Sequence, residues 1–392
     1  MIKQKGVKRV RVLLVVSWLL ISAVGSVPGV RAEVGTDELI VEVKRVSDAP
    51  VVAARYGLEI VSYINDQGHY MYLMRNLSGR AIEAVISDVN RDRDVKKAEW
   101  NQISTVSEIN SLGQRSIMWI DGGCGSGSVA DQAELSRIRA PEAQQFSTGA
   151  GALVAVIDTG IDFGARLNIV PGYDFIGRDN DASDVAGGLA SGHGTMVSSL
   201  ILAVAPNAQI LPIRAFDQYG FTATFQLAEA IDYARGHGAS VINMSFSFDA
   251  DIELVRNAIR RARNAGITLV AAAGNDGSGF SRFPAEEPGV LSVAAVDSHD
   301  VKASFSNYGH TEVSAPGVSI EANGLFGSCA LVDGTSFSAA LVSGEAALLV
   351  AVGRANPSDD ITRYGVRINT LPGNRGYRLG PRIDCYAALT RR

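Results

Sequence analysis

The sequence has little cysteine or tryptophan, with three residues of each in a chain of 392. Cys124, Cys329 and Cys385 form no CxxC pair and have no histidine close by in the sequence, which excludes a cysteine–histidine zinc site. An excess of positive charge is also missing, since the formal net charge is −5. A general affinity for nucleic acid or anionic membranes is therefore excluded, whereas a local basic patch is not.

Long apolar runs are missing beyond the first residues of the chain. There, lysines and arginines between Lys3 and Arg11 precede an apolar run, Val12–Val24, and the pattern Val30-Arg31-Ala32 follows. This order is typical of a signal peptide, and we predict residues 1–32 to be one, cleaved after Ala32. The alternative is an uncleaved membrane anchor, for which the run is short against the roughly 20 residues of a span. Cleavage predicts a secreted protein, extracellular or periplasmic, without membrane contact once the signal is removed.

Export would permit a disulfide bond, and an odd number of cysteines leaves one thiol over. We predict a pair between Cys329 and Cys385, because both fall in the same predicted domain. The remaining thiol would then be that of Cys124.

The composition is that of a folded protein with a large core, since 46% of the residues are hydrophobic and 20% are charged. Residues 33–103 alternate between strand-like and helix-like patterns in the order strand, helix, strand, strand, helix, strand. This order predicts a small α+β domain of the ferredoxin-like, split-βαβ type. Residues 104–135 contain the glycine- and serine-rich stretch 121–128 and are predicted to be a linker.

Residues 136–392 form the main predicted domain. Apolar strands without alternation, such as Leu153–Asp158 and Val290–Val296, are separated by helical patterns such as His193–Val204. This predicts an α/β fold of three layers, a doubly wound and mostly parallel sheet with helices on both faces. Functional sites of such folds lie at the carboxyl ends of the strands. The predicted strand ends carry the polar residues Asp158, Ser245 and Asn275.

Four short segments contain candidate catalytic residues. Each alone fits an ordinary structural role: Asp158 could cap a turn, His193 could lie on the surface and Ser336 could cap a helix. Their order along the chain favours a common site. The segments are VIDTGID at 156–162, SGHGTMV at 191–197, AAAGND at 271–276 and DGTSFSA at 333–339.

Taken together, residues 136 to about 355 resemble the subtilisin-like serine peptidases, or subtilases. The order Asp, His, Ser along the chain is the one known for subtilisin. The resemblance implies a serine endopeptidase, a hydrolase acting on protein or peptide substrates, with Ser336 as nucleophile. A serine hydroxyl needs a base within hydrogen-bond reach and a third group that orients this base, roles that fit His193 and Asp158.

The resemblance also assigns residues around the nucleophile. Asn275 would supply a side-chain donor to the oxyanion, beside the backbone N–H of Ser336 at its helix start. Residues 241–247 resemble the family strand that pairs with extended substrate backbone. The predicted substrate-binding residues are Ser245, Phe246, Ser247, Ala273 and Gly274.

Arg282 precedes Phe283-Pro284, which resembles an aromatic-proline pair near the floor of the family's specificity pocket. If the Arg282 side chain points inward, an acidic side chain before the scissile bond would be favoured. The alternative is that Arg282 is a solvated surface residue, and the sequence leaves both open.

Residues 33–103 resemble the inhibitory propeptides of the same family. Their end, Glu99–Gln102, would approach the active site, so the chain would be a zymogen with its own propeptide as intramolecular inhibitor. The alternative is a permanent accessory domain.

The family resemblance implies no required cofactor. A loop with four aspartates, Asp174, Asp179, Asp181 and Asp184, has the oxygen ligands that a structural calcium ion prefers, and subtilases often bind calcium. A solvated acidic loop without metal explains the same pattern.

The sequence departs from the family pattern at two places. Ala340 stands where a proline usually follows the catalytic serine, and residues 161–168 lack the usual His-Pro. Two other functions stay open. One is a noncatalytic subtilase-fold protein that binds peptides without cutting them, and the other is an esterase, although the GxSxG motif typical of many esterases is missing.

Overall fold

The computed structural model describes residues 37–66, 68–105, 129–165, 167–248 and 252–391. The predicted signal peptide, residues 1–32, lies outside the described residues, as does residue Cys124 in the predicted linker. Among the residues that are described, no helix combines the length and the apolar character that crossing a membrane requires.

The N-terminal unit has the predicted order of elements and is a ferredoxin-like α+β sandwich. Its antiparallel sheet has the strand order β2-β3-β1-β4, and both helices pack on one face over a core that includes Leu39, Val52 and Val85. Gly57, in the left-handed region at φ 66°, ends the first helix. The elements are β1 (Glu38–Val43), α1 (Asp48–Tyr56), β2 (Leu58–Asp66), β3 (His69–Asn76), α2 (Ile82–Val89) and β4 (Val95–Trp100).

The remaining described residues fold around a parallel sheet of seven strands in the order β13-β12-β11-β10-β6-β8-β7. This confirms the predicted three-layer α/β class. The helices and strands are β5 (Ile103–Thr105), α3 (Ala133–Arg137), α4 (Ala140–Ala143), β6 (Leu153–Asp158), β7 (Tyr173–Asp174), α5 (His193–Val204), β8 (Gln209–Arg214), β9 (Phe221–Ala223), α6 (Thr224–Gly236), β10 (Val241–Met244), α7 (Glu253–Asn264), β11 (Thr268–Ala272), β12 (Val290–Val296), β13 (Val313–Pro316), β14 (Ile320–Asn323), β15 (Cys329–Val332), α8 (Thr335–Ala351), α9 (Pro357–Tyr364) and α10 (Cys385–Thr390).

Two hydrophobic cores cover the two faces of the sheet. One contains the side chains of α5 and α8, and the other those of α6 and α7. Helices α5 and α8 are mainly apolar and are buried on nearly every side: all of α5 is buried, as are residues 335–349 of α8. A helix that is mainly apolar on all sides is stable inside the protein. Because the core encloses α5 and α8, their first residues, His193 and Thr335, have fixed positions.

The core also includes residues that precede β6 and residues that follow α8. Val129 and Leu135 pack into the α5–α8 core, although both lie within the predicted linker 104–135. Ile361, Ile383 and Ala388 of the C-terminal part pack into the same core. The C-terminal residues, in which the sequence has no motif, therefore complete the domain.

The predicted pair of Cys329 and Cys385 is wrong. Cys329 is disulfide-bonded, whereas Cys385 is a free thiol buried at the start of α10. A disulfide requires Cα atoms closer than about 7 Å. Membership of one domain, on which the prediction depended, does not ensure that proximity: Cys329 opens a strand of the β14–β15 hairpin, and Cys385 lies in the α5–α8 core.

Candidate active site

Asp158 and His193 lie side by side at the carboxyl edge of the sheet. Asp158 is the last residue of the interior strand β6, and His193 is the first residue of α5. The His193 Nδ1 atom and the Asp158 Oδ1 atom are 2.7 Å apart, and both side chains are buried. Because an ionised carboxylate only accepts hydrogen bonds, Nδ1 carries the proton and the Nε2 atom has its lone pair available for a proton. The pair is thus arranged as an oriented base.

Ser336 occupies the first turn of α8 and is fully buried. Its Oγ donates to the backbone oxygen of Ser245 at 3.0 Å, and the Ser245 Oγ donates to the backbone oxygen of Ser336 at 2.9 Å. The ring of Phe337, the next residue, lies 5.5 Å from the ring of His193 between centroids. The starts of α5 and α8 therefore meet at the carboxyl edge of the sheet.

Asn275 follows β11 and is held by its acceptor atom. The Oδ1 atom accepts from the backbone N–H of Thr335 at 3.0 Å and from the Thr335 hydroxyl at 2.9 Å. With the oxygen fixed in this way, the amide nitrogen is the donor that Asn275 can offer at the start of α8. The arrangement brings an amide donor next to the residue that precedes Ser336.

The predicted substrate-binding residues lie on two neighbouring segments that leave the sheet. Ser245, Phe246 and Ser247 follow β10, and Ala273 and Gly274 follow β11. All five are buried. Phe246 packs at a tilt against Phe216 and stacks on Phe248, at centroid distances of 5.2 Å and 5.4 Å, so its side chain belongs to the core.

The Arg282 side chain is neither fully solvated nor an unpaired cation facing inward. Its Nε atom donates to Asp276 Oδ2 at 2.9 Å, and its guanidinium lies over the Phe280 ring. A Cβ atom on Gly274 would come within 2.9 Å of the Arg282 side chain, so this arginine packs against the segment that carries Asn275. Paired with Asp276, Arg282 gives the site no net positive charge of its own.

The four aspartates of the acidic loop do not converge on a common point. Asp174 forms a buried ion pair with Arg214 at 2.6 Å, and its other oxygen accepts two backbone N–H groups. Asp181 binds Ser183, while Asp184 binds Thr159 and the backbone of Gly192. Within the described part of the chain, no group of three or more acidic, histidine or cysteine side chains is placed to hold a metal ion. The side chains of this loop thus do not fit a calcium site.

The short strand β9 is an element that the sequence patterns did not predict. It pairs antiparallel with β5, which follows directly after the N-terminal unit, in the register Ile103 to Ala223. The next helix, α6, is held by the same segment: Asn101 Oδ1 accepts from Phe225 N at 2.9 Å, and the Gln102 oxygen accepts from Thr224 N at 2.9 Å. The only sequence signal was the proposed approach of Glu99–Gln102.

Comparison with known proteins agrees with this geometry. Residues 149–367 match the model of the subtilase family of peptidases, and this match covers more than half of the chain. The chain belongs to the subtilase family.

Three relatives illustrate the similarity. A thermophilic serine proteinase from Bacillus sp. (strain AK1) is 40% identical over 256 residues, which are 61% of this chain and 62% of that protein. Thermitase from Thermoactinomyces vulgaris is 35% identical over 64% of this chain and 94% of its own length. Subtilisin Savinase from Lederbergia lenta is 33% identical over 57% of this chain and 84% of its own. The match thus spans less than two thirds of the first of these relatives.

Proposed function

We propose that the protein is a secreted serine endopeptidase that hydrolyses peptide bonds through an acyl-enzyme on Ser336. The observation that carries the proposal is the buried hydrogen bond of 2.7 Å between His193 and Asp158, beside the helix start that presents Ser336. The family membership supports it, since the three similar relatives are named as serine proteinase, thermitase and subtilisin.

In the first half of the reaction, the Ser336 Oγ turns from the Ser245 carbonyl and attacks the carbonyl carbon of the scissile bond. His193 Nε2 takes the hydroxyl proton, and Asp158 stabilises the resulting imidazolium. The carbonyl oxygen becomes an oxyanion, which the amide of Asn275 and the backbone N–H of Ser336 stabilise. The imidazolium then gives its proton to the leaving amine, and the C–N bond breaks to leave the acyl-enzyme.

In the second half, a water molecule attacks the acyl-enzyme in the place of the departed amine. His193 takes a proton from this water and returns it to the Ser336 oxygen as the C–O bond of the ester breaks. The released product is a carboxylic acid, and the enzyme regains its starting state. No step requires a cofactor, and a structural calcium ion would have to bind elsewhere than the side chains of the acidic loop.

Residues 33–103 are proposed to be an inhibitory propeptide that makes the protein a zymogen. The contacts of this unit support the proposal, because Asn101 and Gln102 bind the first N–H groups of α6 and β5 adds a strand to β9. Strand addition is also how an extended peptide substrate binds to such an edge. The pairing of Ile103–Thr105 with β9 is therefore consistent with a propeptide that binds in the manner of a substrate.

Export is proposed from the sequence of residues 1–32, with signal cleavage after Ala32 and an extracellular or periplasmic location. The test is to export the wild type and the Ser336→Ala variant side by side and to measure the intact mass of each product. We expect a wild type shortened between about residues 101 and 130 and a variant that has lost only the signal. If neither chain is shortened, residues 33–103 are a permanent domain, and the noncatalytic peptide-binding function is favoured.

A further inference from the structure

Asp184 connects the backbone next to the proposed catalytic base, His193, with the residue next to its orienting carboxylate, Asp158. Its Oδ2 atom accepts a hydrogen bond from the Thr159 hydroxyl at 2.9 Å and another from the Gly192 N–H at 2.9 Å. Thr159 follows Asp158 directly in the chain, and Gly192 precedes His193 directly. One carboxyl group therefore binds the neighbour of each partner in the Asp158–His193 pair.

The Thr159 hydroxyl extends this connection to the far side of His193. While it donates to Asp184, its oxygen accepts from the backbone N–H of Gly194 at 3.1 Å. Hydrogen bonds thus hold the backbone both before and after His193, at Gly192 and at Gly194. Gly192 has φ 85°, a left-handed conformation that fits its position at the start of α5.

The Asp184 backbone is itself fixed against the strand end. Its N–H donates to the Ile161 oxygen at 3.0 Å, and the Ile161 N–H donates to the Ala182 oxygen at 3.0 Å. The approach is so close that a Cβ atom on Gly160 would lie 2.7 Å from the Ala182 oxygen. Asp184 therefore has a defined position relative to Asp158 rather than one that varies with the acidic loop.

The charge of Asp184 is sensitive to pH in the range where a histidine base operates. Burial raises the pKa of its carboxyl to about 7, against the opposing hydrogen bonds from Gly192 and Thr159. Its Oδ1 atom is shielded from solvent and has no hydrogen-bond partner among the described residues. The charged groups that interact with it are Asp158, which raises the pKa, and His193, which lowers it.

We propose that Asp184 is a positioning residue for the Asp158–His193 pair, and that its ionised form favours the imidazolium of His193. The inference rests on the proposed peptidase function. An ionised Asp184 adds a second negative charge near the imidazolium that forms during the reaction. Its protonated form removes this charge while Gly192 and Thr159 keep their acceptor.

The test compares Asp184→Asn with Asp181→Asn, a matched control on the exposed part of the same loop, in the processed enzyme with a peptide substrate. For Asp184→Asn we expect kcat at pH 8 to fall about tenfold with KM changed less than twofold, because charge that acts on the imidazolium affects the transition state. Towards acid pH, we expect the kcat/KM of Asp184→Asn to fall with the protonation of one group, His193, rather than of His193 and Asp184 together. Asp181→Asn should match the wild type.

A second measurement does not depend on turnover. In the Ser336→Ala full chain, NMR titration of His193 should give a lower pKa in the Asp184→Asn variant than in the parent, whereas Asp184→Glu should restore it. Thr159→Val keeps the carboxylate but removes the bridge. It should lower kcat and raise the pKa of Asp184, because the hydrogen bond from Thr159 lowers that pKa.

The outcomes separate the two claims. If the wild type hydrolyses peptides but Asp184→Asn has the kcat, pH profile and His193 pKa of the wild type, the positioning role is refuted. If the wild type hydrolyses no peptide, the proposed function fails, and a lowered His193 pKa in Asp184→Asn would still support the coupling between Asp184 and His193.

Discussion

Asn275 shows how a single side chain is oriented for chemistry by its own acceptor. Thr335 binds the Asn275 Oδ1 atom through both its backbone N–H and its hydroxyl. Thr335, which takes no part in proton transfer, sets the orientation of the Asn275 side chain. The donor role therefore depends on the amide group as a whole, and a side chain of similar size without an amide should not replace it.

Asn275→Leu is expected to lower kcat by about 10²–10³, the range established for such a donor in subtilisin. KM should change little, because the oxyanion forms only in the transition state. Steady-state kinetics with a peptide substrate checks this, with Asn264→Leu on the exposed end of α7 as control. Equal losses in kcat for both variants, or a loss confined to KM, would contradict the oxyanion role.

At the residue scale, the sequence motifs were sufficient to propose candidate catalytic residues and insufficient to predict their contacts. Asp158, His193 and Asn275 could be proposed because each lies in a distinctive short motif. The Asp184 bridge and the Arg282–Asp276 pair could not, because each depends on how loops fold back on one another. The cysteine pairing failed for the same reason, since no local pattern gives the distance between Cys329 and Cys385.

Helix α8 contains a buried acid that has no role in the proposed reaction. Glu345 is fully buried, and neither of its carboxyl oxygens has a hydrogen-bond partner among the residues described. Burial raises its pKa well above the usual 4.5, with nearby Asp384 acting in the same direction and Arg382 opposing it. The folded protein therefore keeps a proton on Glu345 at a pH where the unfolded chain has lost it.

This difference predicts that Glu345 lowers stability progressively as the pH rises above about 4.5 towards the folded-state pKa. Each unit by which the pKa is raised is worth about 1.4 kcal/mol. Glu345→Gln in the Ser336→Ala background should thus raise the melting temperature at pH 8 and have a smaller effect at pH 4. A gain that is independent of pH would show that Glu345 does not titrate in this way.

Helix α6 begins without a capping side chain of its own and takes its acceptors from the N-terminal unit. Asn101 Oδ1 binds the Phe225 N–H, and the side chain of Asn101 also binds Glu38 and Gln226. A capping side chain contributes about 1 kcal/mol to a helix start. The first turn of α6 should therefore be more stable in the precursor than in the processed enzyme.

Asn101→Ala is expected to increase hydrogen exchange at the Phe225 amide in the unprocessed Ser336→Ala chain by about fivefold, the equivalent of about 1 kcal/mol. The control is Asn76→Ala, which removes hydrogen bonds to Arg80 and Ser78 within the N-terminal unit. If both variants exchange alike at Phe225, Asn101 does not stabilise the start of α6.

At the element scale, long elements with a clear pattern were predicted well. Strand β6, helix α5 and strand β12 have the predicted bounds, because each is a largely buried and mainly apolar run. The short elements β7 and β9 were missed, since two or three residues carry no periodicity. Their position comes from pairing with β8 and β5, which is tertiary information.

For the whole molecule, the order of elements was enough to predict both folds. The split-βαβ unit and the parallel sheet each follow from which strands and helices alternate, and right-handed crossovers leave few other topologies. How the two units meet could not be derived, because the interface depends on single contacts such as Ser62 with Glu229 and Asn101 with Phe225.

The central claim is that Ser336 is the nucleophile of a serine peptidase. The most direct measurement treats the processed wild type with a fluorophosphonate, which phosphonylates an activated serine hydroxyl, and locates the adduct by mass spectrometry of its peptides. We expect one adduct, on Ser336, together with complete loss of peptide hydrolysis, and no adduct in His193→Ala. An adduct on another serine, or full hydrolysis with Ser336 unmodified, would contradict the account.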